Sequence, residues 1–126
     1  MSKKKILMVD DEPDFLKMVK LNLERTDKFE VLTLFCANEI ISHLHSFKPD
    51  VVILDLVMPG IGGMEACEML NRDPLGSSLP ILVLSALESE RERVLNSGKG
   101  IAGYLTKPVT KEELVKKIES LLNLSP

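Results

Sequence analysis

The chain has 126 residues, about the size of one domain, and its 16 basic and 19 acidic residues give a net charge of −3. Proteins that bind nucleic acid through its phosphates are normally basic, so direct nucleic-acid binding is not expected. The hydrophobic content of 44% is too high for a disordered chain, and we expect one folded domain over residues 1–126.

Five short apolar segments alternate with helix-like segments along the chain, the pattern typical of α/β proteins with a parallel sheet. They predict strands at residues 6–9, 31–35, 51–54, 81–84 and 104–105. Three of these segments are nearly continuous in Val, Ile and Leu, which is typical of strands covered on both faces by helices. Because crossovers between parallel strands are right-handed, we expect a doubly wound five-stranded sheet with helices on both faces.

Amphipathic helices are predicted after the first, second and fifth of these strands. The first opens at Pro13, the second begins near Asn38, and the last has a capping box of Thr110 and Glu113. Their apolar faces are Phe15, Leu16, Val19 and Leu23; Ile40, Leu44 and Phe47; and Leu114, Val115, Ile118, Leu121 and Leu122.

Two further helices have weaker apolar faces, one over residues 63–71 and one over residues 89–97. The second of these is mostly charged, so we expect it to contribute little to the core. A polar loop over residues 73–80 contains two prolines and a glycine, and we place no domain boundary there.

The two cysteines, Cys36 and Cys67, have no cysteine or histidine neighbour at the spacing of metal ligands. We therefore expect neither a zinc site nor a disulfide, which favours a reducing, cytoplasmic location. Lysines precede the first apolar segment, but the acidic residues from Asp10 onward end that segment too early for a signal peptide. Neither secretion nor a membrane partner is expected.

The residues that follow the predicted strands are rich in groups that can carry chemistry. In doubly wound sheets, ligands bind beyond the carboxyl ends of the strands, so these positions converge on one edge. They are Asp10, Asp11 and Glu12 after the first strand, Asp55 after the third, Ser85 after the fourth and Lys107 after the fifth. Each alone has an ordinary explanation as a helix cap, a turn residue or a surface lysine. Their joint position after four strands predicts a functional site.

The acidic residues of this set predict a site for a hard divalent cation. Crowded carboxylates repel one another unless a cation lies among them, and oxygen ligands without histidine or cysteine favour Mg²⁺. The central carboxylate, Asp55, can then attack phosphorus as a nucleophile and form an acyl phosphate. Lys107 offers a positive charge, and Ser85 a hydroxyl donor, to the oxygens of the transferred group.

Four segments of the chain carry a family resemblance. They are Ile6-Leu7-Met8-Val9-Asp10-Asp11-Glu12-Pro13, Asp55-Leu56-Val57-Met58-Pro59-Gly60, Ser85-Ala86 and Tyr104-Leu105-Thr106-Lys107-Pro108. In this order, each at the end of a predicted strand, they resemble the motifs of the receiver domains of two-component response regulators. The resemblance covers nearly the whole chain. It implies the chemotaxis-type, flavodoxin-like fold with strand order 2-1-3-4-5.

The resemblance implies a phosphoacceptor and a set of metal ligands. Asp55 would be the phosphoacceptor and would bind Mg²⁺ together with Asp11. Asp10 would be the companion acid, often acting through water, and the backbone carbonyl of Val57 would complete the protein's share of the metal ligands.

The same resemblance implies roles for residues after the fourth and fifth strands. Ser85 and Lys107 would bind the phosphoryl group, and the Lys107–Pro108 peptide bond would be cis. Tyr104 would be the aromatic residue that turns inward when Ser85 moves toward the phosphate.

A chain of this family would be a phosphorylation-dependent signalling switch that assists its own modification, and not a classical enzyme. Its phosphodonor would be a phosphohistidine of a histidine kinase or phosphotransfer protein. The fourth helix, fifth strand and fifth helix would form the face that binds a downstream protein partner, or an output domain missing from this chain.

Two segments depart from the usual receiver sequence. Gly62 stands where the family often has aspartate, and residues 99–103 replace the commoner stretch before the tyrosine. Gly98, Gly100 and Gly103 are therefore expected to loosen the junction between the fourth helix and the fifth strand.

Other classes of protein explain parts of the pattern. An FMN-binding protein of the same fold needs a phosphate-binding loop after the first strand, where Asp10, Asp11 and Glu12 would repel the cofactor. A hydrolase that forms an aspartyl phosphate would require a second acid at the position of Val57. A receiver-like interaction module that is not phosphorylated stays as the alternative, although the residues needed for phosphorylation are all present.

Overall fold

The computed structural model describes residues 3–123, which form five strands and five α-helices in the alternating order expected. The strands are β1 (Lys4–Val9), β2 (Phe29–Leu34), β3 (Val51–Asp55), β4 (Ile81–Ser85) and β5 (Ile101–Thr106). The helices are α1 (Pro13–Glu24), α2 (Ile40–Phe47), α3 (Gly63–Arg72), α4 (Arg91–Leu95) and α5 (Lys111–Leu121). Short 3₁₀ turns lie at Gly76–Ser78 and Glu88–Glu90.

The strands form one parallel sheet in the order β2-β1-β3-β4-β5, which confirms the doubly wound topology and its strand order. Successive side chains of β1 point to opposite faces of the sheet. Ile6 and Met8 pack with apolar residues of α1 and α5, whereas Leu7 and Val9 pack with those of α2 and α3. All residues of the central strands β3 and β4 are buried, as expected for strands with helices on both faces.

The fifth strand is longer than predicted, since it runs over six residues from Ile101 where the sequence pattern indicated residues 104–105 alone. Ala102 and Gly103 interrupt the apolar pattern and hide the start of the strand. A Cβ at Gly103 would lie 2.6 Å from Cε of Lys117, near the end of a flexible side chain, and 3.2 Å from Cδ1 of Leu82, so both neighbours would have to shift. This close packing favours glycine at a position inside the strand.

The fourth helix is shorter than predicted. In place of a helix over residues 89–97, the chain makes a 3₁₀ turn and then one short helix, α4, which buries Val94 alone. The small core contribution expected from its charged sequence is confirmed. The second strand and second helix also shift slightly, because β2 ends before the exposed Phe35 and α2 begins after Asn38.

The glycine-rich junction before β5 is fastened to α3. Gly98 and Gly100 have φ angles of 74° and 72°, the left-handed region that glycine adopts without strain. Between them, Lys99 accepts a hydrogen bond of 2.6 Å from Asn71 through its carbonyl and pairs with Glu68 through its ammonium group. The glycines that were expected to loosen this junction therefore allow a turn with specific contacts.

Neither cysteine takes part in a disulfide. Cys36 is exposed, whereas Cys67 is buried in α3, where burial raises the pKa of its thiol to about 12. Such a thiol is not reactive at neutral pH.

In residues 3–123, no helix is long and apolar enough to cross a membrane.

Candidate functional site

An open cavity of about 450 Å³ lies at the carboxyl edge of the sheet. Its lining residues come from the segments that follow β1, β3, β4 and β5, and they are Asp11, Glu12, Asp55, Val57, Ser85, Ala86, Leu87 and Lys107. The strand ends that the sequence singled out therefore meet around one space, as the parallel topology requires.

Four carboxylates gather on one side of this cavity. Asp10, Asp11, Glu12 and Asp55 each offer an oxygen, and the four oxygens lie within 4.8 Å of one another. Asp10 and Asp55 are buried, and Asp11 and Glu12 are exposed. Oxygen ligands at this density fit a hard cation such as Mg²⁺ or Ca²⁺. The cluster can hold a metal ion.

Asp55 ends the central strand, where its side chain is 9% exposed. Burial, and next the charge of Asp10, raise the pKa of the Asp55 carboxyl from 3.8 to about 6. The charge of Lys107 and a hydrogen bond from the backbone of Val57 oppose this shift. Asp55 is thus a carboxylate whose charge is disfavoured until a cation compensates it.

Lys107 reaches across the sheet edge to the acidic residues. Its Nζ lies 2.7 Å from Asp10, 3.0 Å from Glu12 and 3.8 Å from Asp55. Burial works against the charged form, but hydrogen bonds to Asp10 and Glu12 raise the pKa of Lys107 above its ordinary value. The group is therefore a fixed positive charge beside the Asp55 carboxylate. The Lys107–Pro108 peptide bond is cis.

The contact between Lys107 and Glu12 was not predicted from the sequence. Glu12 was recognised only as the third acid after the first strand, and its link to a lysine 95 residues later depends on the fold. The available signal for this contact was that Glu12 and Lys107 both follow strands that end at the same edge of the sheet.

Ser85 ends β4 with its hydroxyl turned toward the next loop. The Oγ of Ser85 accepts a hydrogen bond of 3.0 Å from the backbone N–H of Leu87. The carbonyl of Leu87 in turn accepts a hydrogen bond from the hydroxyl of Tyr104, whose side chain is buried. Tyr104 therefore lies behind the cavity and is connected to Ser85 through Leu87.

A polar network covers Tyr104 from the side of α4. The guanidinium of Arg91 lies 5.2 Å from the centroid of the Tyr104 ring and donates a 2.9 Å hydrogen bond to the Tyr104 carbonyl. Glu88 accepts from Arg91 at 2.8 Å and also accepts from the hydroxyl of Thr106. The loop after β4 is thus tied to β5.

The structure brings most of the predicted site residues together. Asp10, Asp11, Asp55, Ser85 and Lys107 lie at one edge of the sheet, as expected. Val57 lines the same cavity and is 61% exposed as a residue.

A comparison with known families agrees with this arrangement. The model of the response regulator receiver domain matches residues 6–119. The chain belongs to this family. Asp11, Asp55, Ser85 and Lys107 of the receiver motifs line the cavity, and the strand order is that of the receiver fold.

Individual receiver proteins are similar over nearly the whole chain. The alkaline phosphatase synthesis transcriptional regulatory protein PhoP of Bacillus subtilis is 34% identical over 97% of this chain and 50% of PhoP. Protein PilH of Pseudomonas aeruginosa is 34% identical over 94% of this chain and 97% of PilH. The structure of chemotaxis protein CheY4 of Vibrio cholerae has a TM-score of 0.88 at 28% identity, covering 96% of this chain and 100% of that one. The chain thus spans about half the length of PhoP and nearly all of PilH.

Proposed function

We propose that this receiver domain is a phosphorylation-dependent signalling switch that accepts a phosphoryl group on Asp55. The donor is a phosphohistidine of a histidine kinase or phosphotransfer protein. One observation carries the proposal: Asp55 lies in one cavity with Ser85 and Lys107, beside the acidic residues that follow β1. A nucleophile, a hydroxyl donor, a fixed positive charge and a set of cation ligands are the parts that phosphoryl transfer to a carboxylate requires.

In the proposed reaction, a carboxylate oxygen of Asp55 attacks the phosphorus of the donor. A P–O bond forms as the bond from phosphorus to the imidazole nitrogen breaks, and the electron pair of that bond stays on the nitrogen. The Asp55 carboxyl group has to be ionised for this step, although burial and Asp10 oppose its charge. Lys107, 3.8 Å away, supports the ionised form.

The metal of this site is proposed to be Mg²⁺. Asp11 and Asp55 would bind it directly, with Asp10 as the companion acid and the backbone carbonyl of Val57 as a further oxygen ligand. All the donors are oxygens, which suits Mg²⁺ better than zinc or copper. When bound, Mg²⁺ supplies positive charge that offsets the carboxylates and the phosphoryl oxygens.

Two residues of this chain are proposed to hold the transferred group. Lys107 offers the ammonium group of a side chain that is 14% exposed, and its charge is therefore poorly screened by water. Ser85 offers its hydroxyl, whose oxygen accepts from the backbone N–H of Leu87 and whose proton is available to a phosphoryl oxygen, toward which Ser85 would move. Such a movement would pull on the loop that Tyr104 holds.

The result of modification is proposed to be a change of the face formed by α4, β5 and α5. Ser85 and Tyr104 act as the switch residues, and residues 1–126 act as one receiver domain in the cytoplasm. The face binds a downstream protein partner or an output domain rather than nucleic acid directly. The domain assists its own phosphorylation and slow dephosphorylation and has no other catalytic role.

The test is the intact mass of the protein after incubation with acetyl phosphate and Mg²⁺. We expect a single phosphoryl adduct that hydroxylamine removes and that depends on Asp55. If no adduct forms with acetyl phosphate or with a phosphorylated phosphotransfer protein, the chain is the non-phosphorylated interaction module instead.

A further inference from the structure

The ammonium group of Lys107 has an aromatic neighbour as well as acidic ones. Its Nζ lies 4.4 Å from the centroid of the Phe15 ring, well within the range of a cation–π contact. Asp10 and Glu12 accept its hydrogen bonds at 2.7 and 3.0 Å. The ring and the acids together surround the end of a lysine side chain that is 14% exposed.

Phe15 is placed by its own helix and by packing against the core. Helix α1 begins at Pro13, directly after the acidic segment, so Phe15 lies in its first turn. The ring is partly buried and packs against the core cluster between the sheet and helices α1 and α5. A side chain fixed by core packing offers a rigid surface to the mobile end of a lysine.

We propose that Phe15 is a positioning residue for phosphoryl binding, because its ring holds the Lys107 ammonium beside Asp55. The inference rests on the proposed function and adds to it a residue outside the polar site. An aliphatic side chain at position 15 can fill the same space but has no negative ring face to attract a cation.

The Phe15 ring is important because the Lys107 side chain can adopt conformations that move its ammonium away from Asp55. A lysine side chain has four rotatable bonds and loses considerable entropy when it is fixed. Glu12 is 63% exposed, and its hydrogen bond to Lys107 would draw the ammonium toward solvent. The Phe15 ring counters both tendencies, so the lysine is already in place when a phosphoryl group arrives.

The test compares Phe15→Leu, which removes the ring, with Phe15→Tyr, which keeps it. The probe is beryllofluoride with Mg²⁺, which imitates the phosphoryl group and avoids any effect on docking of a kinase. Met18→Leu, at an exposed position one turn along α1, is the matched control. We expect Phe15→Leu to weaken beryllofluoride binding by roughly threefold to tenfold, and Phe15→Tyr and Met18→Leu to bind like the wild type.

A double-mutant cycle with Lys107→Met separates positioning from simple packing. If Phe15 acts through the lysine, Phe15→Leu has no further effect on beryllofluoride affinity when Lys107 is already methionine. The same cycle is measured without metal or ligand, as the urea midpoint in EDTA. We expect Phe15→Leu to lower that midpoint more in the wild type than in the Lys107→Met protein.

Two results would overturn the inference. One is equal beryllofluoride affinity for Phe15→Leu, Phe15→Tyr and the wild type, and the other is the same loss from Phe15→Leu with or without Lys107. Failure of the proposed function is distinguishable, because a wild type that binds no beryllofluoride and takes no phosphoryl group from acetyl phosphate would remove both claims together.

Discussion

Ser85 and Tyr104 are joined through the backbone of a single residue. The N–H of Leu87 donates to the Ser85 hydroxyl, and the carbonyl of Leu87 accepts from the Tyr104 hydroxyl. Ser85 lines the cavity, and Tyr104 is buried against Val94 of α4. A displacement of Ser85 therefore breaks or carries with it the contact that holds Tyr104.

Replacement of the central carboxylate is expected to abolish phosphorylation and stabilise the fold. In Asp55→Asn the nucleophile is lost, so acetyl phosphate should leave no hydroxylamine-labile adduct in the mass spectrum. The change also removes a buried charge next to Asp10, which should raise the free energy of unfolding at pH 7 in EDTA by about 1–3 kcal/mol. An adduct formed at the wild-type rate would show that another residue is modified.

Removal of Asp11 is expected to affect metal binding and phosphorylation together. Asp11→Ala takes one oxygen from the cluster of carboxylates, so Mg²⁺ affinity should fall by about tenfold or more. Titration calorimetry and the phosphorylation rate measure the two effects. Asp14→Ala, in the first turn of α1 but outside that cluster, is the control. Unchanged Mg²⁺ affinity in Asp11→Ala would contradict the assigned ligand.

Two apolar residues at the rim of the cavity, Val57 and Leu87, are expected to prolong the phosphorylated state. Val57 and Leu87 line the cavity with Asp55 and offer no hydrogen bond to an attacking water. Val57→Asn combined with Leu87→Glu should speed loss of the phosphoryl group by about tenfold, equivalent to ~1.4 kcal/mol of barrier. The decay of the Asp55 adduct is followed by mass after the phosphodonor is removed.

The control variant introduces the same two polar residues at exposed apolar positions away from the cavity. Phe35→Asn with Leu95→Glu alters two exposed apolar residues that do not line the cavity. The half-life of the Asp55 phosphoryl adduct in this control should equal that in the wild type. If the rim variant also keeps the wild-type half-life, Val57 and Leu87 simply face solvent and have no kinetic role.

Gly63 is expected to be necessary for the backbone of the site. A Cβ at this position would lie 2.5 Å from the carbonyl oxygen of Asp55 and 2.9 Å from Cα of Leu56. Gly63→Ala should therefore lower the free energy of unfolding by about 1–3 kcal/mol and displace the end of β3. At Gly62 the nearest atom would be 3.8 Å away, so Gly62→Ala should change stability by less than about 1 kcal/mol.

A hydrogen bond far from the site gives a pH-dependent contribution to stability. His45 lies 2.7 Å from Asp73, and this hydrogen bond lowers the pKa of the Asp73 carboxyl. A lowered carboxyl pKa stabilises the fold above its ordinary value of 3.8, and the stabilisation is lost as the pH falls through the lowered value.

The Asp73 contribution is measured by urea unfolding at several pH values. Asp73→Asn should be less stable than the wild type at pH 7. The difference in the free energy of unfolding should shrink as the pH falls below the ordinary pKa of the carboxyl, 3.8. In a His45→Gln background the same substitution should have a smaller effect. A difference that stays constant down to acidic pH would show that the carboxylate charge is not involved.

The sheet and the polar site follow from local patterns in the sequence. Buried parallel strands appear as apolar segments, and the residues after them meet because the strands run in one direction. The start of β5 was hidden because Gly103 interrupts the apolar pattern, although it packs closely against Lys117 and Leu82, which are distant in sequence. Contacts of this kind have no periodic signal.

The same limit applies to side chains around the site. Phe15 has the spacing of an ordinary core residue, and its contact with Lys107 exists only after β5 has joined the sheet. The hydrogen bond from Asn71 to the Lys99 carbonyl and the ion pair of the Lys99 ammonium with Glu68 likewise join α3 to a loop that the sequence marked only by its glycines. Sequence patterns predicted which residues gather at the edge, and the fold decides which of them touch.

The brevity of α4 determines how easily this side of the domain can reorganise. With Val94 as its one buried side chain, the helix is held mainly by that contact and by the hydrogen bonds of Arg91. Such a segment opens at a small fraction of the free energy needed for global unfolding, and its amide protons should exchange with solvent far faster than those of β3. A signal of modest energy is then sufficient to redistribute its conformations while the sheet stays intact.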